Sequence, residues 1–279
     1  GALLWIPAPV VAADAIPSHR RPLAVGLMGS GIGLGVVFAS SFSGSLRNSL
    51  GDAAWSSVYQ IQFAIGFVVM IAVFFLVRHQ QASPSGGGGL GGFSALQRMQ
   101  GWLPLILVYA CFGFMYLLVL GFLTTRLEDD SGWTSASASW AFSLLGLSMI
   151  FGGPLFTTMA QRLGVRFALA LAFASWPVFS LIVLTGLALP VWLACIGIGI
   201  LFSALPSLIT LYVVENTSAE DYGASFAGAT LVFGVAQMIS PPIGGWIADA
   251  AGSFTLVFLL SAVTSVIGLA ATLRLPRRT

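Results

Sequence analysis

The sequence predicts an all-α fold, a polytopic bundle of helices that crosses a membrane several times. Of its 279 residues, 57% are hydrophobic and only 7% are charged, whereas soluble domains carry about 25% charged residues. The charges are clustered, and the uncharged runs between them reach the ~20 residues that a transmembrane helix needs. These runs are solidly apolar and lack the alternating polarity of a membrane β-barrel strand, so they indicate helices.

The uncharged runs predict eight complete spans and one partial span. Gly186 and Pro190 mark a turn that divides the longest run, which is too long for a single crossing. The first residues, GALLWIPAPVVAAD, contain an apolar stretch of only half a span, and we expect the chain to begin inside a transmembrane helix. The eight spans lie at 22–46, 53–77, 99–125 and 131–161, in the two parts of 167–214, and at 222–248 and 250–273.

Basic residues indicate the orientation of the spans. All 11 are arginines, and nine fall in alternate connections, whereas only Arg47 and Arg126 fall in the others. Because basic residues concentrate in cytoplasmic loops, this bias predicts a cytoplasmic C-terminus. The acidic loop 215–221 is the exception to the bias. The nine arginines are Arg20, Arg21, Arg78, Arg98, Arg162, Arg166, Arg274, Arg277 and Arg278.

Residues capable of catalysis or metal binding are few and scattered. Cys111 and Cys195 lie in different spans, and His19 and His79 lie far apart at helix ends. A metal site needs several converging ligands, and no predicted span contains a set of ionisable residues. The sequence therefore predicts neither an enzyme nor a protein with a metal or another bound cofactor, and it has no basic patch for nucleic acid.

An internal repeat relates the two ends of the chain. Shifted by 200 positions, residues 21–44 align within residues 221–245, so that Ser40 meets Ser240. Each repeat has the same place within a series of three spans. The segment SPSGGGGLGG within 78–100 is typical of a flexible linker. Parallel repeats on either side of a linker are typical of membrane transporters.

At these features the chain resembles the major facilitator superfamily, whose members have two six-helix halves joined by a cytoplasmic loop. QRLGVR (161–166) resembles the D-R-x-G-x-R loop after the eighth helix, with Gln161 in place of the aspartate. SPPIGGWIAD (240–249) resembles the end of the eleventh helix, and 101–123 resembles the seventh helix of the YbfB-like branch. The fifth helix departs from proton-coupled antiporters, since Ala39–Ser40 stands where they have a Gly-Pro pair.

The resemblance implies a division into domains. Residues 1–77 would be the remnant of an N-terminal half, namely its fourth to sixth helices. Residues 78–100 would form the cytoplasmic linker, and residues 101–279 the C-terminal half with helices seven to twelve. Roughly the first three and a half helices of the family's fold would be missing from a chain of this kind.

The resemblance also implies three sets of functional residues. Polar or aromatic residues near mid-membrane on cavity-lining helices are candidates for solute contact: Trp5, Tyr109, Tyr116, Trp140, Ser203, Ser207 and Gln237. Charges at cytoplasmic helix ends are candidates for a gate that opens and closes: Asp14, Arg21, Arg162, Arg166 and Glu215. Small residues let membrane helices approach closely, and the candidate packing glycines are Gly29, Gly33, Gly35, Gly44 and Gly244.

From the resemblance we expect a secondary active carrier of a small organic solute in the bacterial inner membrane. It would act as a monomer in the lipid bilayer, by alternating access of a rocker-switch type, with protons as coupling ion. No Asp, Glu, Lys or Arg lies in the middle of a predicted span, so either the solute is not strongly charged or the missing helices bind its charge. The sequence does not distinguish uptake from efflux as the direction of transport. The alternative is a non-transporting truncated fragment or a structural membrane partner, since part of the cavity wall would be absent.

Overall fold

The computed structural model describes residues 21–76 and 91–276, which fold as helices joined by short turns. The predicted half-span at the start of the chain, with Trp5 and Asp14, lies outside these residues. The helices are α1 (Arg21–Leu50), α2 (Ala54–Leu76), α3 (Gly91–Arg98), α4 (Trp102–Leu120), α5 (Ser135–Leu163), α6 (Val165–Val183), α7 (Ala188–Asn216), α8 (Ala219–Ala251) and α9 (Thr255–Thr272).

Seven of the described helices are long and apolar enough to cross a membrane: α2, α4 with its extension to Asp130, and α5 to α9. In α1 the apolar stretch among the described residues is shorter, Ser30–Leu46. The predicted division of the longest run is confirmed, because α6 ends at Val183, α7 begins at Ala188 and Gly186 turns between them with a φ of +65°. The described residues therefore form the all-α membrane bundle that composition predicts.

Helices α4 to α9 pack around a common core, and α1 joins them from one side. α5 lies between α1 and α7 and makes the two most extensive helix contacts of the described chain. α4 packs against α8 and α9, while α6 packs against α7 and α9. α2 differs from the others, because its main helix contact is with α1 and no residue in its most apolar 18-residue stretch is buried within the described residues.

Glycines bring α5 into backbone contact with both of its neighbours. A Cβ atom at Gly199 of α7 would collide with the carbonyl oxygen of Leu145 in α5, and a Cβ atom at Gly152 of α5 would collide with the α7 backbone. On the other side, a Cβ at Gly33 of α1 would lie 2.7 Å from the carbonyl oxygen of Gly146. These distances are shorter than van der Waals contact, so a side chain at these positions would force the helices apart.

The five candidate packing glycines have different surroundings. Gly33 lies at the α1–α5 contact, and a Cβ at Gly244 would lie 2.6 Å from a phenylalanine ring at the end of α4. At Gly44 the nearest atom would be at an ordinary contact distance of 3.8 Å. At Gly35 no described atom lies within 4 Å. Gly29 lies in α1, and its contacts are outside the described set.

The substitution Gly199→Ala is expected to lower the free energy of unfolding by about 1–3 kcal/mol, because the added methyl group collides with the α5 backbone. The change in stability is measured by thermal unfolding in detergent. Unfolding is followed by the reaction of a fluorogenic maleimide with the thiols of Cys111 and Cys195, which are buried in the folded protein. Gly35→Ala is the matched control, since it adds the same methyl group where no described atom lies within 4 Å. Equal unfolding temperatures for the two variants would contradict the packing role of Gly199.

Helix α3 occupies the end of the segment 78–100, which the sequence predicts to be a linker throughout. Leu96 is fully buried, and the helix packs against the start of α8. Arg98 Nη2 donates to Asp221 Oδ1 of α8 at 2.6 Å. The average composition of residues 78–100 is rich in glycine and does not indicate a helix. The apolar residues of this short amphipathic helix lie on one face, which an average over the segment does not detect.

A buried arginine ties together three loops at the end of the bundle where α5 begins. Arg126 lies in the π-helical turn Arg126–Asp130, which extends α4. Its Nη2 donates to the carbonyl oxygen of Leu184 in the α6–α7 turn at 3.2 Å. Its Nε lies 3.3 Å from Asp130 Oδ2, an ion pair without hydrogen-bond geometry. Asp130 Oδ2 accepts the backbone N–H of Phe254 in the α8–α9 turn at 2.8 Å. We call Arg126, Asp130, Leu184 and Phe254 the arginine cap.

Candidate solute-binding surface

Aromatic side chains of α4, α7 and α8 form one cluster inside the bundle. Tyr109, Phe112 and Tyr116 share a face of α4, because intervals of three and four residues match the helical repeat. Phe233 of α8 stacks on this face, with its ring centroid 4.4 Å from that of Tyr109 and 5.7 Å from that of Phe112. Phe202 of α7 meets Tyr116 edge-on at 5.0 Å. Three helices therefore share a continuous aromatic cluster, in which Tyr109 and Phe112 are fully buried.

One polar pair lies at the edge of this aromatic cluster. Gln237, one turn after Phe233 on α8, donates from Nε2 to the hydroxyl oxygen of Tyr116. A glutamine amide also carries an acceptor oxygen, and a tyrosine hydroxyl can also donate. The pair therefore offers both kinds of hydrogen-bonding group beside apolar rings, and neither member carries a charge at neutral pH.

Hydrogen bonds from two neighbouring helices hold α4 close to Tyr116. Ser240 of α8 donates to the backbone carbonyl of Phe114 at 2.7 Å. Ser261 of α9 donates to the backbone carbonyl of Met115 at 2.8 Å. α4 cannot rotate its aromatic face away from α8 without breaking these bonds.

Ser203 and Ser207, which the sequence predicts as solute contacts, are buried in α7. Ser203 Oγ donates to the carbonyl oxygen of Met149 at 2.6 Å and accepts the N–H of Gly153 at 2.9 Å, both in α5. Ser207 Oγ donates to the carbonyl oxygen of Ser203 at 2.8 Å. The Ser203 hydroxyl thus joins α7 to α5, whereas the Ser207 hydroxyl bonds within α7. Contact of either residue with solute stays a prediction.

Trp140 lies apart from the aromatic cluster. Its side chain is 66% exposed near the start of α5, beside a cleft of ≈ 260 Å³ between α1 and α5. The Oγ atoms of Ser40 and Ser143 lie 2.9 Å apart across this cleft. We call it the serine cleft, after the serines that line it: Ser40, Ser41, Ser45, Ser135, Ser139 and Ser143.

Of the candidate gate charges, Arg162, Arg166 and Glu215 lie at the end of the bundle away from the arginine cap. Arg166 and Glu215 line one cleft of ≈ 650 Å³ near the ends of α7 and α9. Arg166 Nη2 donates to the backbone carbonyl of Leu273 at the end of α9. Arg162 is exposed at the end of α5. Arg21 begins α1, and its side-chain contacts are outside the described set.

Of the predicted solute contacts, the structure brings together Tyr109, Tyr116 and Gln237. Their aromatic partners Phe202 and Phe233 were missed by the sequence analysis, because an apolar ring in a span has the same signature as ordinary core packing. Spacing is the one signal that could have found part of the cluster. Aromatic residues recur on one face of α4, and this regularity predicts an aromatic face but not its partners.

The described helices have the fold of a major facilitator transporter. A crystal structure of the E. coli fucose:proton symporter, FucP, superimposes with a TM-score of 0.69, covers 99% of this chain and 74% of that chain, and is 17% identical. A structure of FucP in the outward conformation gives the same TM-score and identity, and covers 99% of this chain and 73% of that chain. At this identity the likeness shows the fold.

The chain belongs to the family described as uncharacterised MFS-type transporter YbfB, which matches residues 1–273. Two relatives come from Arabidopsis thaliana. Protein ZINC INDUCED FACILITATOR-LIKE 1 is 26% identical over 156 residues, which are 54% of this chain and 31% of that protein. A protein named Probable peptide/nitrate transporter is 27% identical over 160 residues, 56% of this chain and 32% of that protein. The chain thus spans about a third of the length of these relatives. It is a multi-pass membrane protein of a transporter family, and the family is not one of enzymes.

Proposed function

We propose that this protein carries a small, uncharged organic solute across the bacterial inner membrane. The observation that supports this solute class is the aromatic cluster with the Gln237–Tyr116 pair at its edge. Binding sites for small molecules characteristically combine an apolar, aromatic lining with a few polar groups that orient the ligand. The middle of each described span is free of Asp, Glu, Lys and Arg. A strongly charged solute would therefore meet no counter-charge there.

In this proposal the protein acts as a monomer by alternating access. Residues 1–77 contribute to the N-terminal half, residues 78–100 link the halves, and residues 101–279 form the C-terminal half with a cytoplasmic C-terminus. The cleft beside Arg166 and Glu215 is then the cytoplasmic gate. Proton-coupled uptake is favoured by the fold that the chain shares with a fucose:proton symporter.

Exchange of solute by the purified protein in proteoliposomes tests the proposal. The probes are a set of neutral sugars and polyols that includes fucose, together with a dipeptide and nitrate, which the name of the second plant relative suggests. We expect counterflow of a neutral probe and none of nitrate. Counterflow of the dipeptide or of nitrate alone would contradict the solute class.

A structural membrane partner without transport activity is the second candidate. The exposed span of α2 favours it, because no residue in its most apolar 18-residue stretch is buried within the described residues. Such a surface is available to another membrane protein. A folded, reconstituted protein that neither exchanges nor binds any probe would support this candidate over the carrier.

A further inference from the structure

The hydrogen-bond ladder of α5 is interrupted near the middle of the helix. Pro154 has no N–H, so the carbonyl of Ile150, four residues earlier, lacks its regular helical partner. Ser30 of α1 supplies the missing donor, since its Oγ donates to the carbonyl oxygen of Ile150 at 2.5 Å. Ser30 is buried. An N-terminal helix of the described chain thus completes the backbone of α5.

α7 supports the same part of α5 from the opposite side. The Oγ of Ser203 joins the carbonyl of Met149 to the N–H of Gly153, the two groups that a regular helix pairs with each other. A side chain inserted in this way marks a site where a helix bends. Ser203 belongs to the same six-helix unit as α5, whereas Ser30 belongs to α1, which joins that unit from outside.

The bond from Ser30 lies where α1 and α5 approach most closely. A Cβ atom at Gly33, one turn after Ser30, would lie 2.8 Å from the backbone nitrogen of Ile150. Further along α1 the contact widens into the serine cleft, where the hydroxyls of Ser40 and Ser143 meet. The α1–α5 contact therefore has one tight point with a hydrogen bond to backbone, followed by an open hydroxyl-lined stretch.

We propose that the bond from Ser30 to the Ile150 carbonyl is a reversible catch between the two halves of the carrier. This inference rests on the proposed alternating access, in which α1 moves relative to α5. Releasing the catch leaves a backbone carbonyl without a partner in apolar surroundings, which disfavours the released state. Ser203 stays with α5 during such a movement and supports the same part of this helix in every state. Ser30 is a positioning residue, because it acts through the α5 backbone.

Cysteine labelling of the full chain in membranes tests the catch. The reporter is Ser139→Cys, a half-buried position of α5 that faces α1 in the serine cleft, and both natural cysteines are buried. Ser30→Ala is expected to raise the rate of maleimide labelling about threefold, the change that a hydrogen bond between membrane helices typically produces. Ser30→Thr keeps a hydroxyl and restores the rate. Ser49→Ala is the control, since the Ser49 hydroxyl donates to carbonyls of α1 itself.

Pro154→Ala makes the test specific to the Ile150 carbonyl. An alanine at 154 has an N–H that can bond to this carbonyl, so Ser30→Ala should change labelling by less than about 1.5-fold in the Pro154→Ala background. An effect of equal size in both backgrounds, no effect in either, or no restoration by Ser30→Thr overturns the proposal. If Ser30→Ala does not fold, rescue of folding by Pro154→Ala supports the catch, and failure of that rescue overturns it.

The labelling experiment is independent of solute transport. A protein that shows the Pro154-dependent labelling change but exchanges no solute would refute the proposed carrier function and keep the catch. A protein that exchanges solute with labelling unaffected by Ser30→Ala would refute the catch and keep the carrier.

Discussion

The substitution Arg126→Met is expected to lower the free energy of unfolding by about 3 kcal/mol. This is the lower end of the cost of breaking a buried ion pair by removing one partner. The side chains of Arg126 and Asp130 are only 6% and 14% exposed. Methionine fills similar space but cannot donate to the Leu184 carbonyl or attract the Asp130 carboxylate. The bonds that are lost connect the turns at one end of the bundle. Denaturant unfolding followed by the reactivity of Cys111 and Cys195 measures it.

Arg162→Met is the matched control for this prediction. Arg162 is an exposed arginine at the opposite end of α5, so its replacement should change the free energy of unfolding by less than about 0.5 kcal/mol. The double variant with Asp130→Asn adds a second check. Because Arg126 and Asp130 are partners, the loss of unfolding free energy in the double variant should be smaller than the sum of the losses in the two single variants. Equal stability of Arg126→Met and Arg162→Met would show that the arginine cap is not a stabilising element.

The variant Gln237→Leu is expected to bind solute about tenfold more weakly, the effect of losing one to two hydrogen bonds in a sheltered site. Leucine is of similar size but has neither the donor nor the acceptor of the amide. The hydroxyl of Tyr116 also loses the donor that now orients it. A thermal-shift titration with the neutral probe that binds most tightly in the transport panel measures the change, since a bound ligand raises apparent stability by mass action.

Gln97→Leu provides the matched control, because Gln97 is an exposed glutamine on α3, outside the bundle core. Its replacement should leave solute affinity unchanged. Tyr116→Phe removes only the hydroxyl and keeps the ring in the aromatic cluster, so we expect a smaller loss, about threefold. Unchanged affinity in both Gln237→Leu and Tyr116→Phe, with folding intact, would place the solute away from this pair.

The fold class could be predicted from the sequence, and the structure confirms it. Seven of the predicted spans are helices of membrane length, and the turn at Gly186 divides the longest run as expected. The turn between α5 and α6 consists of Gly164 alone, with a φ of +89° that suits glycine. Its place in the QRLGVR motif predicts a short glycine turn. These features depend on residues close together in the chain.

The candidate site was predicted less completely. Tyr116 and Gln237 stand out in the sequence because polar groups are rare within spans. Ser203 stands out for the same reason, yet its hydroxyl bonds to the α5 backbone in the structure. A polar residue in a span can satisfy its hydrogen bonds with solute, with another helix or with its own helix. The sequence shows that a partner is needed but does not say which one.

Apolar run lengths, charge clusters and turn glycines were enough to determine that this is a helical membrane protein. Membrane insertion depends on the hydropathy of one segment at a time, so a linear sequence carries that information. The tertiary structure alone decided that Ser30 completes the ladder at Pro154, and that Phe233 covers the aromatic face of α4. Lipid and neighbouring helices are equally apolar, so hydropathy does not say which face meets a partner, and only packing between distant segments resolves it.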